Sequence, residues 1–159
     1  MKSMVVKQVS AGDCEVIMFL HTRHAPSRGE WDESLSLIDR CAKAGDFRRL
    51  RVLVVSDGGG PDATQRAEIQ VLFKRQDHPL KTSVMLTSMI ARRIVAAVSW
   101  FNPHIKSFSP RHFGEALSHL GLSSATAPRL LREFSEMQRE LSPVSCLALI
   151  VGSSVSATL

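Results

Sequence analysis

The sequence predicts an α/β protein: a mixed β-sheet of about five strands flanked by helices, with a C-terminal helix and apolar tail added. Three observations carry this. After an opening pair of strands, strand-like and helix-like segments alternate in the order ββαβαβαβα, which implies a largely parallel sheet with right-handed crossovers. Leu50–Ser56 (LRVLVVS) is an apolar run broken only by Arg51, as in a strand covered on both faces. The 159 residues, 44% hydrophobic and 22% charged, suit one globular core and leave little room for two.

Met4–Val9 is apolar and β-branched, Ala11-Gly12-Asp13 is turn chemistry, and Cys14–His21 reads as a second strand, so the chain opens on a hairpin. Pro26–Gly29 is a loop. From Glu30 the period becomes helical through Trp31, Leu35, Ile38 and Ala42, with Glu30, Asp32 and Glu33 in the first turn and Gly45 at the end. The strand Leu50–Ser56 runs into the tight loop Asp57-Gly58-Gly59-Gly60-Pro61. A helix follows to Arg75, with Ala63, Ala67 and Val71 as its apolar stripe. Thr82–Thr87 is a strand, Met89–Phe101 a helix stopped by Asn102-Pro103, and His104–Phe108 a short strand. Ser109-Pro110 starts a helix whose face is Phe113, Ala116, Leu117 and Leu120, closing at Gly121. Leu53, Val55, Val84 and Leu86 are the central buried positions.

Residues 1–123 form the domain, and 124–159 form a helical extension and tail without a core of their own. In Thr126–Leu141 the residues Leu130, Leu131, Phe134, Met137 and Leu141 make an apolar stripe that must be covered. Val144–Val151 reads as an extra strand, a docked tail or a dimer contact, and Gly152–Leu159 as a fraying end. The run's strand-like look favours self-association through this extension, giving a homodimer.

Composition narrows function. Cys14, Cys41 and Cys146 are widely spaced and include no CxxC, so neither a disulfide framework nor a zinc knuckle is expected, and free thiols suit the cytoplasm. No apolar run is long enough to span a membrane, and the start lacks a secretory signal. Net charge is +5. The basic groups Arg48-Arg49-Arg51, Lys74-Arg75, Arg92-Arg93 and Arg129/Arg132 lie on separate elements and read as solvated faces or a patch for an acidic protein or phosphate. With no tyrosine and 6% aromatics, a base-stacking platform is poorly supplied, which argues against nucleic-acid binding.

The most unusual local sequence is Ser56-Asp57-Gly58-Gly59-Gly60-Pro61-Asp62, with Thr64 in the following turn. Three readings fit it: a sharp turn needing positive φ, a partner-binding loop, or a site for a small anion, nucleotide or lipid cradled by backbone amides. It matches neither GxGxxG nor a GK[ST] phosphate loop. Asp57, Asp62 and Glu68 are the only carboxylates placed for a metal, and no neighbouring strand end adds another, so no metal or other cofactor is expected. His21, His24, His112 and His119 read as surface or helix-start imidazoles. No GxSxG elbow surrounds a serine, and Cys41 sits within a helix among apolar residues, so no nucleophile is indicated and the chain reads as a non-enzyme.

The segments LRVLVVSDGGGPDATQRAEI, TSVMLTSMIARRIVAAVSWFNPHIKSFSP and HFGEALSHLGL together resemble a STAS domain, and more narrowly its SpoIIAA-like, anti-sigma-factor-antagonist-like branch, over Met4–Leu122. The resemblance implies a regulatory or scaffolding module that works by protein–protein contact. In antagonist-type members a phosphorylatable Ser or Thr follows an Asp at the start of the helix after the third strand. Here Gly58 follows Asp57, so that phospho-acceptor motif is absent. Ser56 precedes the Asp, and Thr64 is the nearest hydroxyl downstream.

Overall fold

The computed structural model describes residues 1–74, 78–99 and 102–156. The expectations for Arg75, Trp100, Phe101 and 157–159 lie outside the described residues.

The alternation of elements produces a five-stranded sheet in sequence order, β1-β2-β3-β4-β5. The strands are β1 (Met4–Ala11), β2 (Cys14–His21), β3 (Leu50–Ser56), β4 (Thr82–Leu86) and β5 (Ile105–Phe108). β1 is antiparallel to β2, and each later pair is parallel. Ala11 faces Cys14 across a two-residue turn in which Gly12 has φ +60°. The helices are α1 (Arg28–Ala44), α2 (Ala63–Lys74), α3 (Met89–Ser99), α4 (Phe113–His119), α5 (Ala127–Met137) and α6 (Ser145–Ser156).

Period-two alternation sends neighbouring strand residues to opposite sides, so two apolar clusters form. Ile17, Phe19 and Val52 join Trp31 and Ile38 of α1, with Ile69 and Leu72 of α2 packed alongside. Met18, Leu20, Leu53, Val55 and Met85 join Phe113, Ala116 and Leu117 of α4 on the other side. The second cluster is completed by Leu130, Phe134 and Met137 of α5, and by Val144, Cys146, Leu147 and Ile150 at α6.

Several expectations are corrected. α1 starts at Arg28, because Ser27 and Glu30 form a reciprocal capping box: Glu30 N donates to Ser27 Oγ, and Ser27 N to the Glu30 carboxylate. The α2 stripe expected at Ala63, Ala67 and Val71 is the outer face, with Val71 53% exposed; Gln65, Ile69 and Leu72 face inward instead. Val84 is half-buried, and Met85 takes the fully buried place in β4. The helix expected over Thr126–Leu141 ends at Met137 and tightens into a 3-10 turn, leaving Leu141 buried.

Over Ser145–Ser156 the tail is a helix, where an extra strand and, from Gly152, a fraying end were expected. Val144, Leu147 and Ile150 recur every three residues, with Cys146 four before Ile150, and all four are buried against this chain's own sheet. A continuous apolar run does not by itself distinguish a buried helix from a strand, which is why its form could not be read directly.

Candidate functional site

The carboxyl ends of the parallel strands meet at one edge of the sheet, where ligands of open α/β sheets commonly bind. His21 pairs with Ser56, and Ser56 with Leu86, so the segments that follow β2, β3 and β4 are neighbours. The glycine loop lies between the other two.

Two of its glycines are required for different reasons. Gly58 has φ +111°, a region that L side chains avoid. At Gly59 a Cβ would stand 2.3 Å from the carbonyl oxygens of both Thr22 and His24, so only glycine lets β3's exit pass against β2's exit. Gly60 meets neither constraint.

The loop's donors are occupied within the fold. Asp57 N–H donates to His21 O at 3.2 Å, Gly59 N–H to Thr22 O at 3.0 Å, and Gly58 N–H to Ser56 Oγ at 3.0 Å. The Ser56 hydroxyl in turn donates to Gly59 O at 2.6 Å. Asp62 and Gln65 cap α2 reciprocally: Gln65 N–H donates to Asp62 Oδ1 at 2.9 Å and Asp62 N–H to Gln65 Oε1 at 3.0 Å. Pro61 O accepts from Arg66, and Thr64 is exposed in the first turn. An amide cradle needs several free N–H groups, and four of this loop's already have partners.

Asp57 has a role its sequence position did not reveal. Its carboxylate accepts from Ser145 N–H and Cys146 N–H, each at 2.7 Å, and so caps α6 from 88 and 89 residues away. The carboxylates considered for a metal are therefore separated. Asp57 caps α6, Asp62 caps α2, and Glu68 accepts from Arg28 at 2.7 Å and from the Trp31 indole at 3.0 Å. Among the described residues no group of three or more His, Cys, Asp or Glu is placed to hold a metal.

Beside the loop, Arg92 donates to Leu86 O at 2.7 Å and to Thr87 O at 3.2 Å, capping the end of β4. The next turn presents Met89 and Ile90 to solvent, 63% and 74% exposed. The sequence marked Met89–Phe101 only as an apolar helix and did not single out this pair, because an apolar-rich helix does not show by composition which turn faces solvent.

The titratable groups nearby are structural. His21 is 3% exposed, not a surface imidazole. Its Nδ1 has no hydrogen-bond partner among the described residues, and its ring stacks on Phe19 with centroids 5.9 Å apart. Burial pushes its pKa down to about 4. For Glu30, burial alone would raise the pKa. Hydrogen bonds from Ser3 N–H and Oγ and from Ser27 N–H, each at 2.7 Å, outweigh burial and hold it at about 2. Burial pushes the Cys146 thiol up to about 12 and raises that of Cys41, so neither is an activated thiolate. A surface depression of about 410 Å³ lies away from the loop, at the amino end of β3, with Arg40, Asp46 and Arg49 in its wall.

No family model matches the chain. No curated protein matches it either. Among solved structures it is similar to an uncharacterized protein of the DUF3478 family with a SpoIIAA-like fold, from Shewanella loihica PV-4. The TM-score is 0.52 at 13% sequence identity, covering 68% of this chain and 87% of that one. The likeness establishes the fold as SpoIIAA-like, in agreement with the resemblance read from the sequence. No helix among the described residues is long and apolar enough to cross a membrane.

Proposed function

We propose that this chain is a non-enzymatic regulatory or scaffolding module that acts by protein–protein contact through the carboxyl end of its sheet. One observation carries the reading: Met89 and Ile90, 63% and 74% exposed, stand beside the turn after Ser56 and give that edge an apolar contact surface. The resemblance to anti-sigma-factor antagonists supports it. So do the internal hydrogen bonds of the glycine loop, which favour the loop as a shaped contact element over a small-ligand cradle. Asp62 and Thr64 face outward there and form the polar rim.

The module works in the cytoplasm, where Cys14, Cys41 and Cys146 stay free thiols. Self-association uses the outer face of α6, where Leu149, Val151 and Val155 are exposed and no charged residue occurs after Glu140. Affinity capture with the full chain tests the main reading. A stoichiometric protein partner is expected, lost on Met89→Asp with Ile90→Asp while the melting temperature stays within about 2 °C. Equal capture by wild type and variant, or no stoichiometric partner, would overturn it.

A further inference from the structure

Positive charge collects at the opposite end of the sheet, where the parallel strands begin. Val52 N–H donates to Lys81 O at 3.0 Å and Thr82 N–H to His104 O at 2.8 Å. Arg51, Lys81 and His104 therefore form a row across the entrances of β3, β4 and β5, at the usual strand spacing of about 4.8 Å. Alternation along β5 puts Lys106 on the same side as Phe108, which packs against the cluster beneath α4. His119, the last residue of α4, closes the group: its Nε2 lies 2.9 Å from His104 O and its ring 6.0 Å from that of Phe108. The charges that act on His119 are those of Lys106 and Lys81, both cationic.

Among the described residues the cations of this row have no carboxylate partner. Among the described residues, ion pairs form at Lys2, Lys7, Arg28 and Lys43, and none at Arg51, Lys81 or Lys106. Arg51 donates instead to the carbonyls of Leu120, Arg48 and Leu50. Like charges held together repel in the free protein, and an anion brought to them relieves that repulsion.

We propose that this row is a docking surface for an acidic, Asp- and Glu-rich segment of a partner protein. The available donors favour such a segment over nucleic acid. Main-chain carbonyls already engage the Arg51 fork, which leaves point-like ammonium groups rather than the bidentate geometry that suits phosphate. Phe47 and Phe108, the described aromatics on these elements, pack against the core clusters and offer no stacking platform. The surface lies at the far end of the sheet from the glycine loop, so its failure would leave the reading of that loop untouched.

The test is fluorescence anisotropy of a fluorescein-labelled ten-residue glutamate peptide with the full chain at low salt. Lys81→Glu with Lys106→Glu is expected to weaken binding by about tenfold. Lys2→Glu with Lys43→Glu makes the same change in net charge elsewhere and is expected to weaken it less than twofold. Lys106→Ala alone, an exposed and fold-neutral change, is expected to cost about threefold. Equal losses in the two double variants, no saturable binding by wild type, or tighter binding of a ten-nucleotide oligothymidylate or phosphatidylserine vesicles than of the peptide would each overturn the proposal.

Discussion

Acidifying the protein from pH 7 to pH 5 should cost it stability at one buried imidazole. His21 is neutral in the fold because burial pushes its pKa down to about 4, whereas the unfolded chain titrates it near 6.5. Between those values the unfolded state binds the extra proton. The stabilisation is therefore complete above about pH 6.5 and is lost as the pH falls toward 4. The gap corresponds to about 3.4 kcal/mol in all, and about 1.8 kcal/mol of it disappears between pH 7 and pH 5. With a urea slope of about 2 kcal/mol/M, the unfolding midpoint falls by about 1 M, read through the fluorescence of buried Trp31. His119, lowered by burial and by Lys106 and Lys81, adds a decline of the same sign. Glu30, held at about 2, loses its contribution only below about pH 4.5, outside this window. His21→Phe keeps the stack on Phe19 and forfeits no Nδ1 hydrogen bond to any of the described residues. Its midpoint should fall by less than half as much over the same range. A wild-type midpoint that is flat from pH 7 to pH 5, or a variant with the full wild-type slope, would refute the reasoning.

Asp57→Ala removes both acceptors at the start of α6 and strands the N–H of buried Cys146. The expected loss is about 2–3 kcal/mol, seen as a melting temperature lower by about 5–10 °C, and Asp57→Asn should recover part of it. Gly59→Ala drives a Cβ to 2.3 Å from two carbonyl oxygens and should destabilise by more than about 2 kcal/mol in urea unfolding, whereas Gly60→Ala, with open space around it, should change the midpoint little.

Much of the scaffold was legible because its signals are local. The β1–β2 turn, the apolar run of β3 and the alternation of strands with helices each depend on neighbours within a few residues. The positive φ demanded of the glycine loop was legible in the same way and is met by Gly58. What escaped depends on distant partners. Nothing near Asp57 says that its carboxylate caps a helix starting at Ser145. Nothing near His21 says that it is buried beside Phe19 without a partner for Nδ1. The form of Val144–Val151 was open because an unbroken apolar run loses the periodicity that separates strand from helix. The basic row was hidden for a related reason: Arg51, Lys81 and Lys106 are far apart in sequence and become neighbours only through the parallel register.

The cap from Asp57 to α6 also orders events in time. One side of the sheet, with Leu20, Leu53 and Val55, is covered first by Phe113, Ala116 and Leu117 of α4 and then by Leu130, Phe134, Leu147 and Ile150, which come after residue 123. At about 5–20 residues per second, a ribosome takes about 2–7 s to make residues 124–156. During that interval the strands and α4 are already made, yet the part of this side that α5 and α6 cover stays open. Closing it requires contacts across nearly ninety residues, from Asp57 to Cys146, which are slow to form by loop closure. A nascent chain is therefore expected to pass through a stage in which α4 alone covers this side, leaving apolar surface of the kind that chaperones engage and that aggregation exploits.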